Sequence, residues 1–155
     1  MQSLIGLRTH QNGKLKVSFS DYGDLLPWNT TDGQASSPIA LDAPAMAGDK
    51  DNIGNARKVL VAGDVRANEQ PTLTVLHTLF VREHNRFCDK LKEWGYQDDE
   101  YMYQIARAYV IGLVQSITYN EALPALGLDA FPNYQYNPNL DPSITHEFAL
   151  SLIHI

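Results

Sequence analysis

Arg66, Glu69 and Gln70 stand together in a polar loop, residues 62–70 (AGDVRANEQ), directly before a proline and a long apolar-periodic stretch. A guanidinium keeps its charge at every physiological pH, and a carboxylate three residues on gives two readings. One is an ion pair at a helix entry, contributing well under about 1 kcal/mol. The other is a fixed cation and a carboxylate flanking a buried cofactor or an anionic intermediate. A second polar cluster, Arg82-Glu83-His84-Asn85-Arg86, lies in the apolar-periodic stretch itself. Its plain reading is a solvated helix face, with Glu83 and Arg86 paired at i,i+3. His77 and His84 are two full helical turns apart, too far to share one metal ion without further folding. The chain has no HExxH, CxxC, phosphate-loop or GxSxG motif.

The elements that must position these residues follow from periodicity and punctuation. Pro71 suits a first helical residue, where its missing N–H costs nothing. Leu73, Leu76, Phe80, Phe87 and Leu91 recur at the spacing of one helix face, with His77 and His84 on the same side. Gly95 is placed to stop this helix. A second helix is predicted over residues 99–123, capped by Asp98 and ended by Pro124. Met102, Ile105, Ala106, Tyr109, Leu113, Ile117 and Asn120 define its face, and Gly112 marks a close approach by another helix. Asp141-Pro142 opens a third helix after an irregular connection.

Upstream, residues 14–19 (KLKVSF) alternate like a short strand, and residues 21–31 read as turns around a Leu-Leu-Pro-Trp knot. Residues 34–55 form a long loop without a period. Asn29-Thr30-Thr31 matches the N-glycosylation triplet, which matters only for a secreted protein. The expected class is therefore mainly α with long irregular connections. Two long helices and the start of a third do not close a core around such an arm, which points to part of a larger domain.

Net charge is −6, which argues against a nucleic-acid or anionic-membrane partner. No apolar run approaches the ~20 residues of a bilayer-spanning helix. Cys88 is the one cysteine; it falls beside the apolar helix face and reads as core filler rather than a reactive thiol.

Taken together, Ala-Gly-Asp-Val-Arg-Ala-Asn-Glu (62–69), Leu-His-Thr-Leu-Phe (76–80) and Arg-Glu-His-Asn-Arg (82–86) resemble the animal-type haem peroxidases. That group includes myeloperoxidase, lactoperoxidase, peroxinectin and bacterial relatives. Ile117-Thr118-Tyr119-Asn120-Glu121 with Leu123-Pro124, and Asp141-Pro142-Ser143-Ile144 with Glu147-Phe148, continue the likeness in one register. Leu7-Arg8-Thr9 and Gly13-Lys14-Leu15 fit more weakly.

The resemblance implies a fragment of a helical peroxidase fold whose parent binds haem, reduces hydrogen peroxide and oxidises halide or organic donors. It matches Arg66 to the catalytic distal arginine, a fixed cation where charge develops as the peroxide O–O bond splits. It matches Glu69 to the glutamate that forms an ester to a haem methyl in mammalian members. Gln70 stands where myeloperoxidase has a haem-bonded methionine, and an amide cannot form that sulfonium link. The family's distal histidine and calcium loop are expected upstream of this chain, and its proximal histidine beyond it. His154 lacks the motif context of that ligand. The 155 residues alone are thus expected to be inactive, with the rest of the peroxidase domain as their partner, and compartment is left open.

Residues 150–155 (LSLIHI) leave the family pattern abruptly after Glu-Phe-Ala. They also spell what a common transposon-derived sequencing adapter encodes. Residues 1–149 are therefore expected to be the domain fragment, 150–155 a non-native tail, and Met1 an internal methionine or truncated start. The nearest alternative is a fatty-acid oxygenase of the cyclooxygenase and dioxygenase branch, which shares the style of residues 82–89 (REHNRFCD). A cofactor-free helical interaction module is the alternative from another class.

Overall fold

The computed structural model describes residues 6–51, 53–128, 135–141 and 143. The chain divides into two units, Met1–Ile117 and Thr118–Ile155. The first is a loop-rich arm docked on a helical hairpin. Helix α1 runs Pro71–Glu93 and helix α2 runs Asp99–Ile117.

The ends of both helices fall where their punctuation put them. Pro71 occupies the first turn of α1. At the other end the Tyr96 N–H donates to Leu91 O (3.1 Å) and the Gly95 N–H to Lys92 O (3.0 Å), with Gly95 at φ +91°. That is a Schellman motif, and the left-handed turn it needs is glycine's. Asp98 caps α2 by accepting from the Tyr101 N–H (2.6 Å). The hairpin packs Cys88 and Leu91 of α1 on Met102 and Ala106 of α2, with Phe87 and Ile105 at the margin. Cys88 is fully buried there, and burial pushes its thiol up to about 11, as befits core filler.

Part of the expected α1 face is wrong. Leu76 is exposed, as are Val75 and Leu79. The buried positions Thr78, His84, Asn85, Cys88 and Leu91 track a stripe with three polar members, two of which, His84 and Asn85, bind the covering arm by hydrogen bonds. Gly112 meets nothing that a Cβ would touch within 4 Å, so it marks no close approach.

The second unit holds a π-helical turn, Thr118–Ala122, and a short helix α3, Leu123–Ala125. Pro124 therefore opens a turn rather than ending one, and Gly127 follows in the left-handed region at φ +77°. Asp141 accepts from the Ser143 N–H (2.9 Å), as a helix-opening residue would, but the third helix itself lies outside the described residues.

Among the described residues the arm contains no strand, only isolated antiparallel bridges, including Arg8 to Leu15, Ser18 to Leu25 and Trp28 to Leu60. The predicted strand at 14–19 fails for a physical reason. Leu15 pairs its backbone with a side chain: its N–H donates to Asn85 Oδ1 (2.8 Å) and its carbonyl accepts from Asn85 Nδ2 (3.0 Å). Three residues on, Ser18 is buried, donating to Leu26 O, while Phe19 points outward. The arm's own core is Leu26, Met46, Val61, Ala62 and Ala67, with Val81 of α1 packed against it. Asn29 belongs to that interior at 5% exposure. Its Nδ2 donates to Arg57 O (2.8 Å) and its Oδ1 accepts from the Val59 N–H (3.0 Å), so the glycosylation triplet is occupied structurally.

Candidate functional site

The loop before α1 is anchored at Val65, Ala67 and Asn68. Val65 O accepts from the Ala47 N–H (2.8 Å), and Ala67 is fully buried with its carbonyl taking the Thr74 hydroxyl (2.6 Å). Asn68 Nδ2 donates to Leu60 O (2.7 Å). Arg66, between these anchors, and Glu69 and Gln70, after them, are all exposed. Gln70 is the N-cap residue of α1 in extended conformation, yet its side chain makes no capping bond and stays available. The three residues singled out by sequence thus lie exposed on one short loop, with the Glu69 N–H donating to Arg66 O (2.9 Å).

The ion pair within the loop is not Arg66 with Glu69. Asp64 Oδ1 accepts from the Arg66 backbone N–H and from Nε, both at 2.9 Å, and Asp64 Oδ2 accepts from Nη2 at 2.7 Å. The Arg66 hydrogen bonds hold the Asp64 carboxyl far below the usual carboxylate range. This fork fixes the direction of a guanidinium that is 66% exposed, leaving its remaining N–H groups turned to solvent. Asp64 escaped the sequence reading, although Asp-x-Arg spacing in a turn is the available signal for such a fork.

Behind the loop lies a cavity of about 420 Å³, walled by Asp64, His77, Phe80, His84, Tyr103 and Arg107 among mostly apolar neighbours. His77 and His84 do share its wall, but they do different things. His84 is buried, and its Nε2 lies 2.9 Å from Gly13 O, so that nitrogen carries the proton. Burial pushes the His84 pKa down and keeps the ring neutral. No three His, Cys, Asp or Glu side chains converge on a metal position among the described residues.

The expected solvated face at residues 82–86 is only half right. Glu83 and Arg86 do pair, at 2.5 and 2.7 Å, and the Tyr109 hydroxyl donates to Glu83 at 2.8 Å. The Arg86 hydrogen bonds pull the Glu83 carboxyl down to about 2. His84 and Asn85 instead are buried, and Arg82, itself exposed, reaches across to the arm. His84 and Asn85 hold Gly13 and Leu15, and Arg82 donates to the carbonyls of Tyr22 and Asp24.

A second polar cluster lies across the arm–hairpin seam. Arg8 Nη2 donates to Asp99 Oδ2 (2.8 Å), and Arg8 Nη1 donates to Glu100. Its guanidinium carbon sits 4.0 Å over the Tyr103 ring. The Gly13 N–H donates to the other Asp99 oxygen (2.7 Å).

Comparison with known proteins places this geometry. The animal haem peroxidase family profile matches residues 2–155. The chain belongs to the animal haem peroxidase family. Among its relatives, Peroxidasin of Drosophila melanogaster is 35% identical over 94% of this chain and 9% of its own length. Peroxinectin A of Dictyostelium discoideum is 34% identical over 92% of this chain and 25% of its own. Myeloperoxidase of Homo sapiens is 44% identical over 57% of this chain and 13% of its own. The solved structure of Peroxidase A from Dictyostelium discoideum superposes with a TM-score of 0.75 at 32% identity, over 97% of this chain and 27% of that one. The helical fold is therefore that of an animal haem peroxidase segment, and the chain spans about a quarter or less of these relatives.

Proposed function

We propose that this peroxidase-family chain is the arginine-bearing wall of a haem peroxidase that reduces hydrogen peroxide and oxidises a small donor. The observation that carries the reading is the exposed loop: Arg66, Glu69 and Gln70 are open to solvent while Ala67 and Asn68 anchor the backbone between them. Arg66, aimed by Asp64, is the catalytic residue. It supplies a fixed positive charge where negative charge develops on the leaving peroxide oxygen, the place where a pre-aimed donor is most effective. Glu69 and Gln70 form the cofactor-binding edge. The donor set fits a haem approached from its rim: a guanidinium, a carboxylate and an amide, all with free hydrogen-bonding capacity. Haem itself would supply the redox chemistry when bound.

Glu69 is further proposed to form an ester to a haem methyl carbon, an oxidation for which hydrogen peroxide is the two-electron acceptor. Residues 1–149 are taken as the domain segment and 150–155 as a foreign tail. Sequencing the locus across the Ala149 codon tests the tail, and a genomic LSLIHI would refute it.

The deciding experiment uses the longer protein that contains this chain, loaded with haem. Arg66→Ala is expected to slow the reaction with hydrogen peroxide by ~100-fold, the usual loss for one pre-aimed charge donor. Glu69→Gln is expected to release haem on denaturation where the parent protein retains it. Unchanged peroxide kinetics in Arg66→Ala would overturn the assignment. The 155 residues alone, mixed with haem, are expected to give no peroxidase turnover.

A further inference from the structure

At the tip of the hairpin, Tyr96 and Tyr101 stack with ring centroids 5.4 Å apart and planes 28° from parallel. Both rings are open to solvent, at 41% and 48% exposure. We propose that this pair is an oxidative modification site, at which the two rings join through a carbon–carbon bond to form an intramolecular dityrosine.

The caps described above pre-organise the pair. Tyr96 is the residue whose N–H closes the Schellman motif of α1, and Tyr101 is the residue whose N–H is captured by the Asp98 cap of α2. Both backbones are therefore held by hydrogen bonds at the moment the rings must meet. Offset stacking at this separation puts ring edges within reach of each other. Positioning of this kind replaces an encounter between two molecules with one inside a single molecule.

The other described tyrosines differ. Tyr103 is buried under Arg8. Tyr109 stacks on Phe87 at 4.1 Å and gives its hydroxyl hydrogen to Glu83. Tyr22, Tyr119 and Tyr136 are more exposed than either member of the pair but belong to no tyrosine–tyrosine stack among the ring contacts. Exposure alone therefore predicts oxidation at Tyr22, whereas geometry predicts it at Tyr96 and Tyr101.

The reaction balances with hydrogen peroxide as oxidant and a haem peroxidase as catalyst. Each phenol loses one electron and one proton to give a phenoxyl radical. The two radicals couple at ring carbons ortho to oxygen, and each coupled carbon then gives up its hydrogen as the phenol re-forms. One peroxide accepts the two electrons and two protons and becomes two waters.

The test uses the 155-residue chain, dilute, with hydrogen peroxide and an added horseradish peroxidase, so it does not depend on the activity proposed above. The expected product is a monomer lighter by two hydrogens with dityrosine fluorescence. Cleavage on the amino side of aspartates separates Tyr96 from Tyr101, and the two peptides should remain joined. Tyr96→Phe and Tyr101→Phe should each lower the monomer's fluorescence by ~10-fold or more, the scale of losing a pre-positioned partner. Tyr22→Phe should leave it unchanged. Cross-links found only in covalent dimers, or mapped to Tyr22, Tyr119 or Tyr136 with the 96–101 pair intact, would overturn the proposal.

Discussion

Two polar clusters of similar composition meet opposite fates in the first unit. The seam cluster of Arg8, Gly13, His84, Asn85 and Asp99 turns its hydrogen bonds inward and sits where arm and hairpin join. The loop cluster of Asp64, Arg66, Glu69 and Gln70 is anchored by its neighbours and turns its own side chains out. Each contains an arginine paired with an aspartate, Arg66 bidentate on Asp64 and Arg8 bridging Asp99 and Glu100. Burial separates them: a polar group taken out of water must be paired by the fold, whereas an exposed one is free for a ligand. The difference teaches that residue type alone does not distinguish a strut from a site.

The comparison can be broken most forcefully at Gly13. Its φ is +72°, and an added Cβ would lie 2.5 Å from Tyr103 N and 2.8 Å from Met102 C, both backbone atoms that cannot turn away. Gly13→Ala is expected to destabilise the chain by about 3 kcal/mol, read from denaturant unfolding. Arg8→Ala comes next. It strips a partly buried Asp99 of its cation, and a loss of about 2 kcal/mol is expected in the same measurement. Arg8→Lys should recover part of it, since an ammonium keeps the charge but not the fork.

His84 sharpens the contrast through pH. Its folded pKa lies below the ordinary 6.5, chiefly from burial, so the unfolded chain takes up the proton first as pH falls. The stabilisation is complete above pH 6.5 and declines below it, with a slope of at most about 1.4 kcal/mol per pH unit for one proton. His84→Gln should remove that component of the pH profile near 6. The smallest effect belongs to the loop cluster. Arg66→Ala should leave the unfolding midpoint in place, because its pair with Asp64 is exposed. A large drop there would make Arg66 a strut and collapse the distinction.

Much of the helical hairpin was legible because its signals are local. Pro71, Gly95 and Asp98 act within a turn of themselves, and each does what its chemistry dictates. The arm was not legible, because its partners are remote. Ser18 is inside and Phe19 outside, against their polarity, since the Leu26 carbonyl and the Asn85 amide decide the register. His84 and Asn85 were misjudged for the same reason: a polar helix stripe looks solvated until the chain that covers it is known. At the proposed site, Arg66, Glu69 and Gln70 are singled out by the family resemblance rather than by spacing, whereas the Asp64 fork required the turn to be seen.

The Asn85 amide has a consequence for the order in which the molecule assembles. It binds Leu15 by backbone alone, across 70 residues of sequence. The hairpin, by contrast, closes over a five-residue turn between α1 and α2. Loop closure over the longer span costs more entropy, and the amide must already be mounted on a formed helix to act as a template. The hairpin is therefore the early structure and the arm its late passenger, able to detach without melting what it rests on. Native-state hydrogen exchange should find the Leu15 amide opening well before that of Leu91, and equal protection at the two would mean that arm and hairpin form one cooperative unit.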